Sequence, residues 1–111
     1  MTAPAPGATL LEELYALLRA RTNADPQQSY VASLYRKGLD AILKKVGEEA
    51  IETVIAAKNS DRDALVRELA DLWFHTLVLM AHKEVPPSVV ILELERRMGR
   101  SGLEEKAARS P

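Results

Sequence analysis

LDAILKKVGEEAIETVIAAK (residues 39–58), the break NSD (59–61) and RDALVRELADLWFHTLVLMA (62–81) together decide the fold. Both long segments have helical periodicity, and the break Lys58-Asn59-Ser60-Asp61 between them is short. Helices joined so closely pack as antiparallel neighbours. Helical geometry of about 3.6 residues per turn puts Lys45, Glu48, Glu49 and Glu52 within an arc of roughly 100°. Glu68 and Asp71, three apart, share a face of the next helix. Glu52 and Glu68 stand equally far from the turn, and so do Glu49 and Asp71. The hairpin register thus lets all five carboxylates converge on one small volume.

The flanking sequence reads as further helices. Residues 1–8, rich in Pro, Ala and Gly, read as a disordered start, and residues 9–109 as one domain. Thr9 has capping-box spacing to Glu12, and leucines at 10, 11, 14, 17 and 18 carry a helix to about Ala20. Thr22 to Gln28 reads as a loop. Ser29 caps a short helix, Tyr30 to Lys37, which Gly38 ends. The hairpin helices are expected from about Asp40 to Lys58 and from Arg62 to Lys83. Pro86-Pro87 suits the first turn of a last helix that ends near Met98-Gly99. The expected fold is all-α, a bundle of four to five helices.

Past Glu68, apolar residues surround the axis of the fourth long segment, with Leu69, Leu72, Trp73, Phe74, Leu77 and Val78 on every side. A helix apolar all round is buried all round. In a chain of 111 residues that points to an intertwined homodimer with this helix at its centre, the alternative being that the N- and C-terminal helices wrap it. Trp73 reads as core.

Composition narrows the function classes. The formal net charge of −1 gives no global attraction to nucleic acid or to an anionic membrane. With no cysteine, disulfides and thiolate metal sites are excluded. MTAPAPGATL lacks the basic and hydrophobic regions of a signal peptide, and the apolar runs are far shorter than the roughly 20 residues a membrane span needs. A cytoplasmic protein is expected.

Acidic residues set among apolar ones repel each other and lose hydration unless a cation neutralises them. Oxygen-only donors suit a hard ion, magnesium above all, which keeps several waters and joins a substrate phosphate. The lysines precede the glutamates, at Lys44 and Lys45, which is the less favourable order for helix ion pairs. Arg36, Lys37, Lys44, Lys45, Arg97 and Arg100 are candidates to hold phosphates, Lys45 foremost because it lies on the acidic arc. His75, one turn after Asp71, reads as a satisfied buried histidine, and His82 as a surface residue.

E-E-x-x-E at 48–52 followed by E-x-x-D at 68–71 resembles the signature of the all-α nucleoside triphosphate pyrophosphohydrolases, which include MazG-like proteins and dimeric dUTPases. Ser29-Tyr-Val-Ala-Ser-Leu-Tyr-Arg-Lys-Gly, Ile42-Leu-Lys-Lys-Val-Gly-Glu-Glu-Ala, Ala70-Asp-Leu-Trp-Phe-His and Gly99-Arg-Ser-Gly-Leu-Glu-Glu-Lys narrow the likeness to the phosphoribosyl-ATP pyrophosphatase family, over residues 10–109. The resemblance implies hydrolysis of phosphoribosyl-ATP to phosphoribosyl-AMP and pyrophosphate, the second step of histidine biosynthesis, with Mg2+ as cofactor. By the family pattern Glu49, Glu52, Glu68 and Asp71 are ligands. Glu48 is either a ligand of a second ion or the base that orients water. The family pattern also places Ser29 and Tyr30 by the site, although N-capping explains Ser29 equally well. The alternative is a MazG-like enzyme that clears other nucleoside triphosphates, which shares the acidic cluster and differs in the pocket for base and ribose.

Overall fold

A computed structural model describes residues 6–98 together with Lys106 and Arg109. In chain order it contains α1 (Pro6–Ala20), a 3-10 turn (Arg21–Asn23), α2 (Tyr30–Lys37), α3 (Leu39–Lys58), α4 (Arg62–His82) and α5 (Pro87–Met98), and no strand among the described residues. The expected all-α bundle is the observed one. The Met1–Ala5 part of the expected disordered start, and Arg100, lie outside the described residues.

Local chemistry explains most of the helix boundaries. Ser29 Oγ accepts the Ala32 amide at 3.2 Å and starts α2. Asp61 does the same for α4, accepting the Ala64 amide at 3.1 Å. Gly38, at φ 100°, occupies a backbone region that L side chains rarely adopt, so α2 stops and α3 begins one residue later at a new angle. One boundary differs from expectation. α1 begins at Pro6, three residues before Thr9, because proline needs no amide partner in a first turn and its ring already holds a helical φ. Thr9 is therefore inside the helix and not its cap.

α3 and α4 form the expected hairpin, against which α1 and α2 pack. The core gathers Leu18 of α1, Val31 and Leu34 of α2, Ile42 of α3 and Leu77, Val78 and Ala81 of α4. Leu18, Ile42 and Val78 are fully buried, each removing enough apolar surface to stabilise the fold by about 1.5–3 kcal/mol. Two polar links run across this core end. Tyr35 donates its hydroxyl to the Val78 carbonyl at 3.0 Å, while its ring stacks on His82. Arg19 donates to the Ala81 carbonyl and to Glu84, both at 3.1 Å, placing a cation at the C-terminus of α4 where the helix dipole favours it.

The other face of α4 is open in the single chain. Trp73 is 62% exposed, Val66 54% and Leu94 of α5 55%. Trp73 is thus not core within its own chain, because α1 and α5 flank it without closing over it. An apolar groove of about 410 Å³ between them is lined by Leu11, Trp73, Met80, Pro87 and Leu94, among others. Ile55 is also half exposed, whereas Ile42, on the same helix, is fully buried.

Truncating Ile42 would leave a cavity where α2, α3 and α4 meet. Ile42→Ala should destabilise the protein by about 2–5 kcal/mol, read as a lower urea midpoint at unchanged slope.

Candidate metal centre

Glu49 leaves α3 nearly three turns before the hairpin break, and Glu68 and Asp71 leave α4 after it. One carboxylate oxygen from each of Glu49, Glu68 and Asp71 lies within 4.8 Å of the other two. Glu49 and Glu68 are partly shielded and Asp71 is exposed, so the cluster has a sheltered floor and an open rim. Of the five carboxylates that the hairpin register lets converge, these three meet.

The remaining two acidic residues are outside this group. Glu52 is exposed, yet its charge acts on Glu68. Glu48 is exposed and faces lysines instead, with Lys44 Nζ at 3.9 Å and Lys45 Nζ at 3.7 Å. Lys45 also lies 3.4 Å from Glu49 Oε1. The ion pairs form despite the unfavourable order along the helix. Desolvation opposes the charge on Lys45, but Tyr30, Glu49 and Glu48 outweigh it and raise its pKa above the ordinary value.

The electrostatics at Glu68 are unfavourable without a cation beside it. Desolvation, followed by the charges of Asp71, Glu49 and Glu52, pushes the Glu68 carboxyl above the ordinary carboxylate value. A hydrogen bond with Glu49 adds to the rise. All three donors are oxygens, the ligand type of a hard divalent ion. The residues present therefore fit a metal of the magnesium class.

Backbone and hydroxyl groups hold these helices in place. Thr53 Oγ1 lies 2.8 Å from the Glu49 carbonyl on its own helix and 3.2 Å from the Glu68 carbonyl on the other. His75, 6% exposed, has both ring nitrogens engaged, as expected for a satisfied buried histidine. Nδ1 lies 2.8 Å from the Asp71 carbonyl, which can only accept, so Nδ1 carries the proton. Nε2 of the neutral ring then accepts from the Tyr30 hydroxyl at 2.9 Å. This chain ties the start of α2 to the peptide of Asp71. Burial raises the pKa of Tyr30; Lys45 opposes the rise and Glu49, Glu48 and Asp71 add to it. Tyr30 therefore sits within the field of the cluster.

The candidate phosphate-binding cations are dispersed. Arg36 and Lys37 are exposed in the last turn of α2, and Lys44 is exposed on α3. Arg97 is engaged on α5, its Nε 3.1 Å from Glu93 Oε1. Hydrogen bonds from Arg96 and Arg97 hold the Glu93 carboxyl down at about 2. Lys45 alone of the described candidates contacts the three-carboxylate group. Sequence reasoning missed Thr53. Its only signal was its place between Glu49 and the turn, on the side of α3 that faces α4.

The family model for phosphoribosyl-ATP pyrophosphohydrolase matches residues 11–98. A protein of Chromobacterium violaceum named phosphoribosyl-ATP pyrophosphatase is 57% identical over 102 residues, covering 92% of this chain and 94% of the relative. Proteins with the same name from Methylibium petroleiphilum and Burkholderia thailandensis are 56% and 54% identical, over 93% and 98% of this chain and 86% and 92% of their own lengths.

The strained floor has a measurable signature. A carboxyl raised in the folded state binds its proton more tightly there than in the unfolded chain. Its stabilising contribution is full below the ordinary carboxylate value and is lost as pH rises through the raised one. In chelator, Glu68→Gln should therefore melt progressively higher than the unsubstituted protein as pH climbs from about 4.5 towards neutrality. A gap that stays constant over that range would contradict the repulsion described.

Proposed function

This chain belongs to the phosphoribosyl-ATP pyrophosphohydrolase family, and from that premise we propose that it hydrolyses phosphoribosyl-ATP to phosphoribosyl-AMP and pyrophosphate, the second step of histidine biosynthesis. The observation that carries the reading is the meeting of Glu49, Glu68 and Asp71 within 4.8 Å across the α3–α4 hairpin. The alternative of a MazG-like enzyme acting on general nucleoside triphosphates is not favoured, since the relatives reported above all carry the narrower name.

Glu49, Glu68 and Asp71 would hold Mg2+, with Glu52 able to join from beside Glu68. Bound there, Mg2+ would neutralise the triphosphate and stabilise the leaving pyrophosphate. Glu48, linked to Glu49 through Lys45, serves as the base that orients the attacking water or as a ligand of a second ion. Water adds at the α–β phosphoanhydride, the bond to the β-phosphate breaks, and the proton of the water goes to the base. Lys45 supplies a cation at the same edge for phosphate oxygens. Lys37, Lys44, Arg97 and Arg100 are kept as further phosphate contacts, of which Arg97 would have to leave Glu93. The working enzyme is proposed to be cytoplasmic, where nucleotide intermediates of this kind are made and consumed. No helix among the described residues is long and apolar enough to cross a membrane.

We further propose a homodimer that covers the open face of α4. Support comes from Trp73, Val66 and Leu94, large apolar side chains more than half exposed on neighbouring helices. Contiguous exposed apolar surface of this kind marks an association site. Sedimentation velocity should give twice the 12.3 kDa chain mass. A stable monomer at micromolar concentration would contradict this assembly.

Pyrophosphate release from phosphoribosyl-ATP should depend on Mg2+ and exceed that from ATP or other ordinary triphosphates. Equal rates on all triphosphates would restore the MazG-like alternative. Glu52→Gln and Glu68→Gln keep size but remove a negative charge, and each should lower turnover at least about a hundredfold, roughly 2.7 kcal/mol of transition-state stabilisation. The double variant should be scarcely worse than either single one, because the residues act as a unit. Full activity in either single variant would remove that carboxylate from the mechanism.

A further inference from the structure

We propose that the Thr53 hydroxyl is a positioning group for the metal centre, fixing the separation of the two helices at the level of the carboxylates; the inference rests on the metal-binding reading above. Threonine in a helix ordinarily turns its hydroxyl back to the carbonyl four residues earlier. Thr53 does this with Glu49, at 2.8 Å. The second contact, 3.2 Å to the Glu68 carbonyl, crosses from α3 to α4. Both acceptors are backbone oxygens of residues whose side chains belong to the three-carboxylate group. One hydroxyl therefore joins the peptides from which two of the three carboxylates project.

The position makes physical sense. Like charges gathered at Glu49, Glu68 and Asp71 push α3 and α4 apart, and the repulsion is strongest where the carboxylates are closest. Thr53 lies one turn beyond Glu49 towards the break, and its proton is shared between the two helices at that level. Packing of the apolar side chains holds the hairpin as a whole, but it does not set the carboxylate separation to a few tenths of an ångström. A hydrogen bond between the ligand-bearing backbones does. Outer groups that orient metal ligands change metal affinity by about 10–100-fold when removed.

The test uses the full chain, Mg2+ alone as titrant, and calorimetry with no substrate present. Thr53→Val keeps the shape of the side chain and removes the hydroxyl, and should weaken Mg2+ binding about tenfold. Thr53→Ser keeps the hydroxyl and should bind near the unsubstituted value. A merely structural role would lower the melting temperature in chelator while leaving the Mg2+ affinity of the folded protein unchanged. Thr53→Val binding Mg2+ as tightly as the unsubstituted chain would overturn the inference, as would a serine variant as weak as the valine one. Should the valine variant not fold, Thr53→Ala is read by the same two criteria. If the unsubstituted protein binds no Mg2+, the metal-centre reading fails and this inference with it. Binding that is lost in Glu68→Gln but unchanged in Thr53→Val removes only the role given to Thr53.

Discussion

Three carboxylates of like charge are held together across a helical hairpin, and much of the architecture can be understood as what keeps them there. Nothing in the intrinsic preferences of α3 or α4 favours that meeting, because each charge raises the cost of the others. The opposing force is apolar. Ile42 of α3 and Leu77, Val78 and Ala81 of α4 are buried against α1 and α2 farther from the turn. Asp61 caps the start of α4 and so fixes how soon the chain turns back. With the hairpin closed at one end by its cap and at the other by the core, the residues between have little freedom to separate.

The polar groups around the cluster complete the constraint. His75 ties the peptide of Asp71 to Tyr30 on α2, so the third helix of the arrangement also bears on the site. Lys45 supplies positive charge on one flank, against Glu48 and Glu49. Nothing offsets the cost at Glu68: desolvation, the charges of Asp71, Glu49 and Glu52 and a hydrogen bond with Glu49 all raise its pKa. Functional sites characteristically hold groups in electrostatically costly positions, and here the cost is what suits the cluster to a divalent cation.

The hairpin was legible because two regular helices and a short break leave one free parameter, the turn centre, and the break fixes it. The capping role of Ser29 and the stop at Gly38 are local, so residue type alone identifies them. The links from Thr53 to Glu68 and from His75 to Tyr30 are not local. They depend on how far apart two packed backbones finally stand, which periodicity does not specify. Glu48 and Glu52 lie on the same helical arc as Glu49, but whether an arc of that width closes completely on its partner depends on side-chain reach. Here one member, Glu49, enters the three-carboxylate group, and the other two do not. Trp73 is a different lesson. Apolar residues around a helix show that it is meant to be covered, without saying by which chain, and within one chain Trp73 is exposed.

A divalent ion between α3 and α4 would relieve the repulsion among these carboxylates. The most direct measurement is the anomalous difference map of crystals soaked in Mn2+, an ion that takes the same oxygen ligands as Mg2+. A peak bridging carboxylate oxygens of Glu49, Glu68 and Asp71 is the predicted result. A map with no peak there, or with the ion held by other residues, in crystals of an active protein would contradict it.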